Sequence, residues 1–128
     1  MSESSGHSYL ESHDIGGEVL RLNVAGESTA ILEAAGQAGV KRAAKTLVKE
    51  GPLRVVLMGL KSGSALAEHD AGGPVSIHVL SGRVKVSGPD RDETVDGGNA
   101  LVFASSVPHS LEAESDAVVL ITIAWAAQ

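Results

Sequence analysis

From Val40 onward, short stretches rich in β-branched and aliphatic residues alternate with turn signals built on Gly, Pro, Asp, Asn and Ser. The turn signals recur roughly every 8 to 12 residues, which gives about eight or nine candidate strands. Residues 41–60 are a clear example, because two such stretches flank the turn at Gly51-Pro52. This pattern favours an antiparallel sandwich or a small barrel, and we therefore predict an all-β fold.

The region before Val40 offers one helix and one further strand. Residues 27–38 carry a narrow apolar face at helical spacing, with Ser28 as the candidate N-cap and Gly39 as the stop. Residues 18–24 alternate apolar and polar side chains, and this alternation predicts a short first strand. The helix face is narrow, so we expect one short helix packed on a sheet.

Length and composition limit the chain to one domain. It has 128 residues, of which 43% are hydrophobic, enough to bury a core without disulfides or a structural metal. It contains no cysteine, which excludes disulfides, thiolate metal sites and cysteine nucleophiles. Residues 1–17 lack periodicity and are predicted to form a flexible tail, so a single barrel domain is expected over residues 18–128.

The charge and hydropathy patterns argue against two classes of partner. The formal net charge is −6, from 16 acidic and 10 basic residues, and no Lys/Arg-rich face is evident that could bind phosphates. No stretch approaches the roughly 20 apolar residues that span a bilayer. The N-terminal stretch lacks the features of a signal peptide. We therefore expect a cytoplasmic protein that binds neither nucleic acid nor membrane.

Three histidines fall in the β region, at His69, His78 and His109. If Gly73-Pro74 forms a two-residue turn between paired strands, His69 stands directly opposite His78, with Cβ atoms about 5 Å apart. A four-residue turn keeps both histidines on one face at a diagonal, whereas a three-residue turn moves His78 to the other face. Two imidazoles on one face can share a metal ion or line a pocket.

Two blocks of this sequence resemble the two motifs of the cupin superfamily. In the first block, Gly63 is followed at the family's spacing by His69 and later by Gly82. The second block runs from Gly98 to His109. The resemblance extends to small single-domain bacterial cupins of uncharacterised function. It implies an antiparallel double-sheet cupin barrel of the jelly-roll type, here with one short N-terminal helix.

The sequence departs from the first cupin motif at two ligand positions. Ala71 stands where that motif has a second histidine, and Val75 stands where it has a glutamate. His69 and His109 match the motifs, and His78 would complete a three-histidine set if it pointed inward. On this resemblance we predict a metal site at His69, His78 and His109 that holds one divalent ion, such as Zn, Mn, Ni or Fe. The alternative is a metal-free barrel with the same histidines in a polar pocket or facing solvent.

The resemblance implies a function on small molecules, in one of two forms. With a metal bound, the barrel would act on or bind a small organic molecule, although the sequence identifies no catalytic residue. Without a metal, it would be a non-catalytic module that binds or senses a small ligand. In the metal-bound form we expect the walls that exclude solvent to include Leu66, Val75, Ile77, Phe103 and Leu111. The resemblance also implies a homodimer, with residues 18–60 supplying the exchanged edge.

Overall fold

The computed structural model describes residues 9–10, 18–69 and 72–125. Within these ranges it contains one helix, α1 (Val24–Gln37), and ten strands. The strands are β1 (Tyr9–Leu10), β2 (Arg42–Glu50), β3 (Leu53–Leu60), β4 (Ala65–His69), β5 (Val75–Ser81), β6 (Arg83–Ser87), β7 (Asp92–Asp96), β8 (Ala100–Phe103), β9 (His109–Ala113) and β10 (Ala117–Ala124). The prediction of an all-β fold with one short helix is confirmed.

The strands form two sheets that face each other. One sheet has six strands in the order β1-β2-β3-β10-β5-β8, and the other has four in the order β4-β9-β6-β7. All pairs are antiparallel except β1 with β2, which are parallel. Apolar side chains from both sheets fill the space between them, which we call the interior core. Its buried members are Met58, Leu60, Val75, Ile77, Val79, Val84, Val86, Val95, Leu111, Ala113, Ala117, Val119 and Ile121.

Helix α1 covers part of the outer face of the six-stranded sheet. Its buried residues Ile31 and Ala35 pack on Leu57 of β3 and its neighbours, forming a second cluster that we call the helix-side core. The backbones approach closely, because a Cβ atom on Gly59 would lie 2.6 Å from the carbonyl oxygen of Ile31. The six-stranded sheet is therefore buried on both faces where the helix lies, which explains the long apolar runs in β3 and β10.

The predicted strand at residues 18–24 is wrong. Residues 18–22 pair with no strand among the described residues, and the helix begins at Val24, three residues before its predicted start. Asn23 is the N-cap, since its side-chain oxygen accepts a hydrogen bond of 3.1 Å from the Gly26 amide. Ser28, the predicted cap, lies inside the helix. Leu22 contacts the helix-side core, so its apolar side chain is used for packing and not for strand pairing.

Replacing Asn23 with alanine is expected to lower the free energy of unfolding by about 1 kcal/mol, because the Gly26 amide loses its partner. Ser28→Ala is the matched control, and we expect it to change the free energy by less than about 0.5 kcal/mol. Urea denaturation followed by circular dichroism measures both values. A larger loss for Ser28→Ala than for Asn23→Ala would contradict the observed start of the helix.

The structure confirms one predicted hairpin and corrects another. Strands β2 and β3 pair across Gly51-Pro52 as predicted. Strands β4 and β5 do not form a hairpin, because β4 pairs with β9 in the four-stranded sheet and β5 pairs with β10 and β8 in the six-stranded sheet. Strand β5 thus has a hydrogen-bonded neighbour on each edge, which a hairpin with β4 would not allow. Residues 70–71 of the link lie outside the described residues.

The N-terminal prediction falls mostly outside the described residues. The backbone of β1 pairs in parallel with β2, with Tyr9 opposite Ala44, and the remainder of the predicted tail at residues 1–17 is not described. The single domain predicted over residues 18–128 remains a prediction. None of the described helical residues forms a helix that is long and apolar enough to cross a membrane.

Candidate functional site at the mouth of the barrel

His109 is a buried polar residue on the interior face of the four-stranded sheet. Burial alternates along β9, so His109 points the same way as Leu111 of the interior core, and only 3% of its surface is exposed. Its ring stacks on Phe103, with 4.7 Å between the ring centroids and an interplanar angle of 17°. Its Nδ1 lies 3.0 Å from the Val107 carbonyl oxygen. Because a carbonyl only accepts, Nδ1 carries the proton in this hydrogen bond.

The register of β4 and β9 places His69 directly opposite His109. The pairing shifts between Leu66 and His69, so an irregularity in β4 precedes this position. The fold thus brings two positions that are far apart in sequence next to each other, and both are histidines that match the cupin motifs.

His78 lies in the six-stranded sheet, on the face that points away from the interior core. In β5, Val75, Ile77 and Val79 belong to the interior core, so the alternation turns His78 outward. Its partner in β10 is Leu120, which packs against the helix-side core. The structure therefore does not bring His78 together with His109.

The interior walls are aliphatic where the cupin motif has a glutamate. Val75 is buried in the interior core, together with Ile77 and Leu111. Leu66 and Phe103 are partly buried and pack against the same cluster, so all five predicted wall residues are confirmed. Among the residues that the structure describes, no group of three or more His, Cys, Asp or Glu side chains is placed to hold a metal ion.

A cavity of about 250 Å³ opens between β6, β7 and β8. It is lined by Val86, Arg91, Glu93, Leu101, Val102 and Phe103. Phe103 connects the two parts of the site, because its ring lines the cavity and also stacks on His109. The site therefore consists of an apolar cavity at the barrel mouth with a buried imidazole behind its aromatic wall.

Two charged residues in the cavity wall were not identified from the sequence. Arg91 donates hydrogen bonds from Nε (2.7 Å) and Nη2 to Oε2 of Glu93. Both lie in the polar stretch 87–93, which carries the Gly, Pro and Asp of a turn. The sequence feature that could have identified Glu93 is the alternation in β7. It places Glu93 on the same face as Val95, an interior-core residue.

Comparisons with known proteins support the fold. No protein-family model and no curated protein sequence matches this chain. Among solved structures, it is similar to an RmlC-like cupin from Desulfovibrio desulfuricans, with 29% identity, a TM-score of 0.60 and coverage of 65% of this chain and 81% of that one. A conserved protein of unknown function from Streptococcus pyogenes matches with 21% identity, a TM-score of 0.65 and coverage of 70% and 79%.

The fold is also similar to that of part of a dioxygenase. Salicylate 1,2-dioxygenase from Pseudaminobacter salicylatoxidans matches with 20% identity and a TM-score of 0.69, over 77% of this chain and 33% of the enzyme. This chain therefore corresponds to about a third of that enzyme's length. Together, the two-sheet topology and these neighbours show that the chain has a cupin barrel fold, similar to that of the RmlC-like cupin from Desulfovibrio desulfuricans.

Proposed function

We propose that this protein binds a small organic molecule in the cavity at the barrel mouth. The observation that carries the proposal is the cavity itself, which is walled mainly by Val86, Leu101 and Phe103 and has charged groups on one side. Ligand sites in proteins combine apolar walls with a few placed polar groups, and those for drug-sized ligands span about 300–1,000 Å³. A cavity of about 250 Å³ therefore suits a ligand of about one ring or a short branched chain.

The fold alone does not determine a reaction. A similarity of 20% identity to a dioxygenase shows that the two chains share an architecture. It does not show that they share a reaction, because one fold hosts many activities. The proposal therefore assigns binding to the cavity and leaves catalytic roles unassigned.

A bulky side chain at Leu101 tests this proposal. Leu101 lines the cavity and packs against the interior core, so Leu101→Trp places an indole in the space that a ligand would occupy. We expect a panel of small aromatic and aliphatic acids, amides, alcohols and amines to give ligands of the unmodified protein by NMR titration. Their affinity should fall by more than about tenfold in Leu101→Trp.

The matched control adds the same indole on the surface. Val40 is 52% exposed and lies outside the cavity, so Val40→Trp should leave every affinity unchanged. Circular dichroism checks that both variants fold. The proposal is contradicted if no panel member binds at millimolar concentration, or if the ligands bind Leu101→Trp as well as the unmodified protein.

A metal ion held by His69 and His109 is a second candidate function for the site. The register that places these positions opposite each other favours it, as does the Nδ1 hydrogen bond of His109, since ligating histidines commonly anchor their other nitrogen on a carbonyl. His78 lies outside this proposed pair because it faces away from the interior. Catalytic zinc sites use three protein ligands, so two imidazoles do not amount to a full set of that kind, and we derive no reaction step from a metal.

Metal analysis of single variants tests the pair. After incubation with Zn²⁺, Mn²⁺, Ni²⁺ or Fe²⁺ and removal of excess metal, we expect about one ion per chain in the unmodified protein and in His78→Ala. We expect none in His69→Ala or His109→Phe. Loss of metal in His78→Ala, or retention in both of the other variants, would rule out the proposed pair.

A further inference from the structure

We infer that the cavity selects small carboxylic acids with an apolar body, and that Glu93 competes with the ligand for Arg91. This inference rests on the proposed function and names its ligand class. Its basis is one charged pair in an otherwise apolar wall. Arg91 and Glu93 both line the cavity, and the remaining lining residues are Val86, Leu101, Val102 and Phe103.

Glu93 occupies an interior position on its strand. In the β6–β7 pairing it stands opposite Val86, a fully buried residue of the interior core. Two residues further along the strand, Val95 faces the same core. The Glu93 side chain nevertheless keeps contact with water, and Arg91 pairs with its carboxylate.

Arg91 is held above the cavity by the turn between β6 and β7. The Gly88 amide donates a 2.9 Å hydrogen bond to the Arg91 carbonyl oxygen, which closes the turn. A Cβ atom on Gly88 would lie 3.4 Å from the Phe103 ring, so the turn packs closely against the aromatic wall. The guanidinium is therefore positioned next to the apolar surface on which a ligand would lie.

A ligand carboxylate can replace Glu93 as the partner of Arg91 at a small cost in free energy. The side chain of Arg91 is 75% exposed and that of Glu93 is 33% exposed, and ion pairs in contact with water contribute only about 0.2–1 kcal/mol. A guanidinium has five N–H donors, of which the bonds to Glu93 use one at Nε and one at Nη2. A ligand carboxylate can therefore take the remaining donors or replace Glu93 in a two-point contact, which guanidinium favours.

Three probes with the same ring and different charge test the ligand class. Benzoate, benzamide and benzylamine present an anion, a neutral amide and a cation to the cavity. We expect benzoate to bind the unmodified protein most tightly by NMR titration or calorimetry. Arg91→Gln should lower the affinity for benzoate by about tenfold, to the affinity for benzamide, because charge-assisted hydrogen bonds are lost. Glu93→Gln should raise the affinity for benzoate by about threefold, because the competing carboxylate is removed.

The same hairpin offers a matched control. Arg83 forms an ion pair with Asp96, with 2.7 Å between Nε and Oδ1, and neither residue lines the cavity. Arg83→Gln removes one positive charge from β6 and should leave benzoate affinity unchanged. Benzoate binding that weakens equally in Arg83→Gln and Arg91→Gln would show a general charge effect and would overturn the inference.

The remaining outcomes separate this inference from the proposed function. Equal affinity for benzoate and benzamide, both reduced in Leu101→Trp, would support the cavity and overturn the carboxylate preference. Tighter binding of benzylamine that is lost in Glu93→Gln would make the site a cation site and would also overturn the inference. If none of the three probes binds while another member of the panel does, the inference is overturned and the proposed binding function stands.

Discussion

Gly82→Ala is expected to lower the free energy of unfolding by more than about 3 kcal/mol, a large part of the roughly 5–15 kcal/mol that is typical of native domains. Gly82 links β5 in one sheet to β6 in the other, with φ of 83°. A Cβ atom there would lie 2.1 Å from the Asp116 carbonyl oxygen and 2.8 Å from the Ala117 Cα atom. Both contacts are with backbone, so the link between β9 and β10 would have to move.

Gly63→Ala isolates the part of this effect that comes from the backbone dihedral. Gly63 also has a positive φ, of 88°, but a Cβ atom there would meet nothing within 4 Å. We expect Gly63→Ala to cost about 1–2 kcal/mol, so the contacts at Gly82 should account for the remaining loss. Urea denaturation compares the two variants with the unmodified protein. Equal losses would contradict the contribution of the contacts with Asp116 and Ala117.

The sequence predicts the features of this fold that depend on neighbouring residues. Alternation within each strand identifies which side chains share a face, so Val75 and Ile77 were assigned together to the barrel wall, and both are buried there. The β2–β3 hairpin was predictable for the same reason, since its turn and both arms are contiguous. The helix start was missed because Asn23 ends an alternating stretch that is compatible with either a strand or a cap followed by a helix.

The features that decide the site depend on strands that are distant in sequence. The hairpin arithmetic for His69 and His78 assumed that β4 pairs with β5, but each of these strands has partners elsewhere. Alternation places His78 on the face opposite Val75 and Ile77, so an inward His78 needed a shift of register that β5 does not show at these residues. Glu93 was missed because it lies in a polar stretch with turn residues, and its pairing with Val86 shows its interior position.

His109→Ala is expected to lower the free energy of unfolding by about 2–4 kcal/mol. His109 is only 3% exposed, so removal of its ring leaves a cavity, ends the stacking on Phe103 and leaves the Val107 carbonyl oxygen without the Nδ1 hydrogen bond. His109→Phe keeps a ring against Phe103 and removes both ring nitrogens, including the Nδ1 hydrogen bond to Val107. We expect it to cost about 1–2 kcal/mol.

These two variants separate the structural contribution of His109 from its role in a site. If the ring acts by packing alone, His109→Phe should keep most of the stability and bind metal or benzoate like the unmodified protein. If Nε2 holds an ion opposite His69, His109→Phe should fold, lose the ion and retain benzoate in the cavity beside Phe103. Urea denaturation and metal analysis on the same preparations measure both effects. A stability loss in His109→Phe as large as that in His109→Ala would contradict the contribution assigned to ring packing.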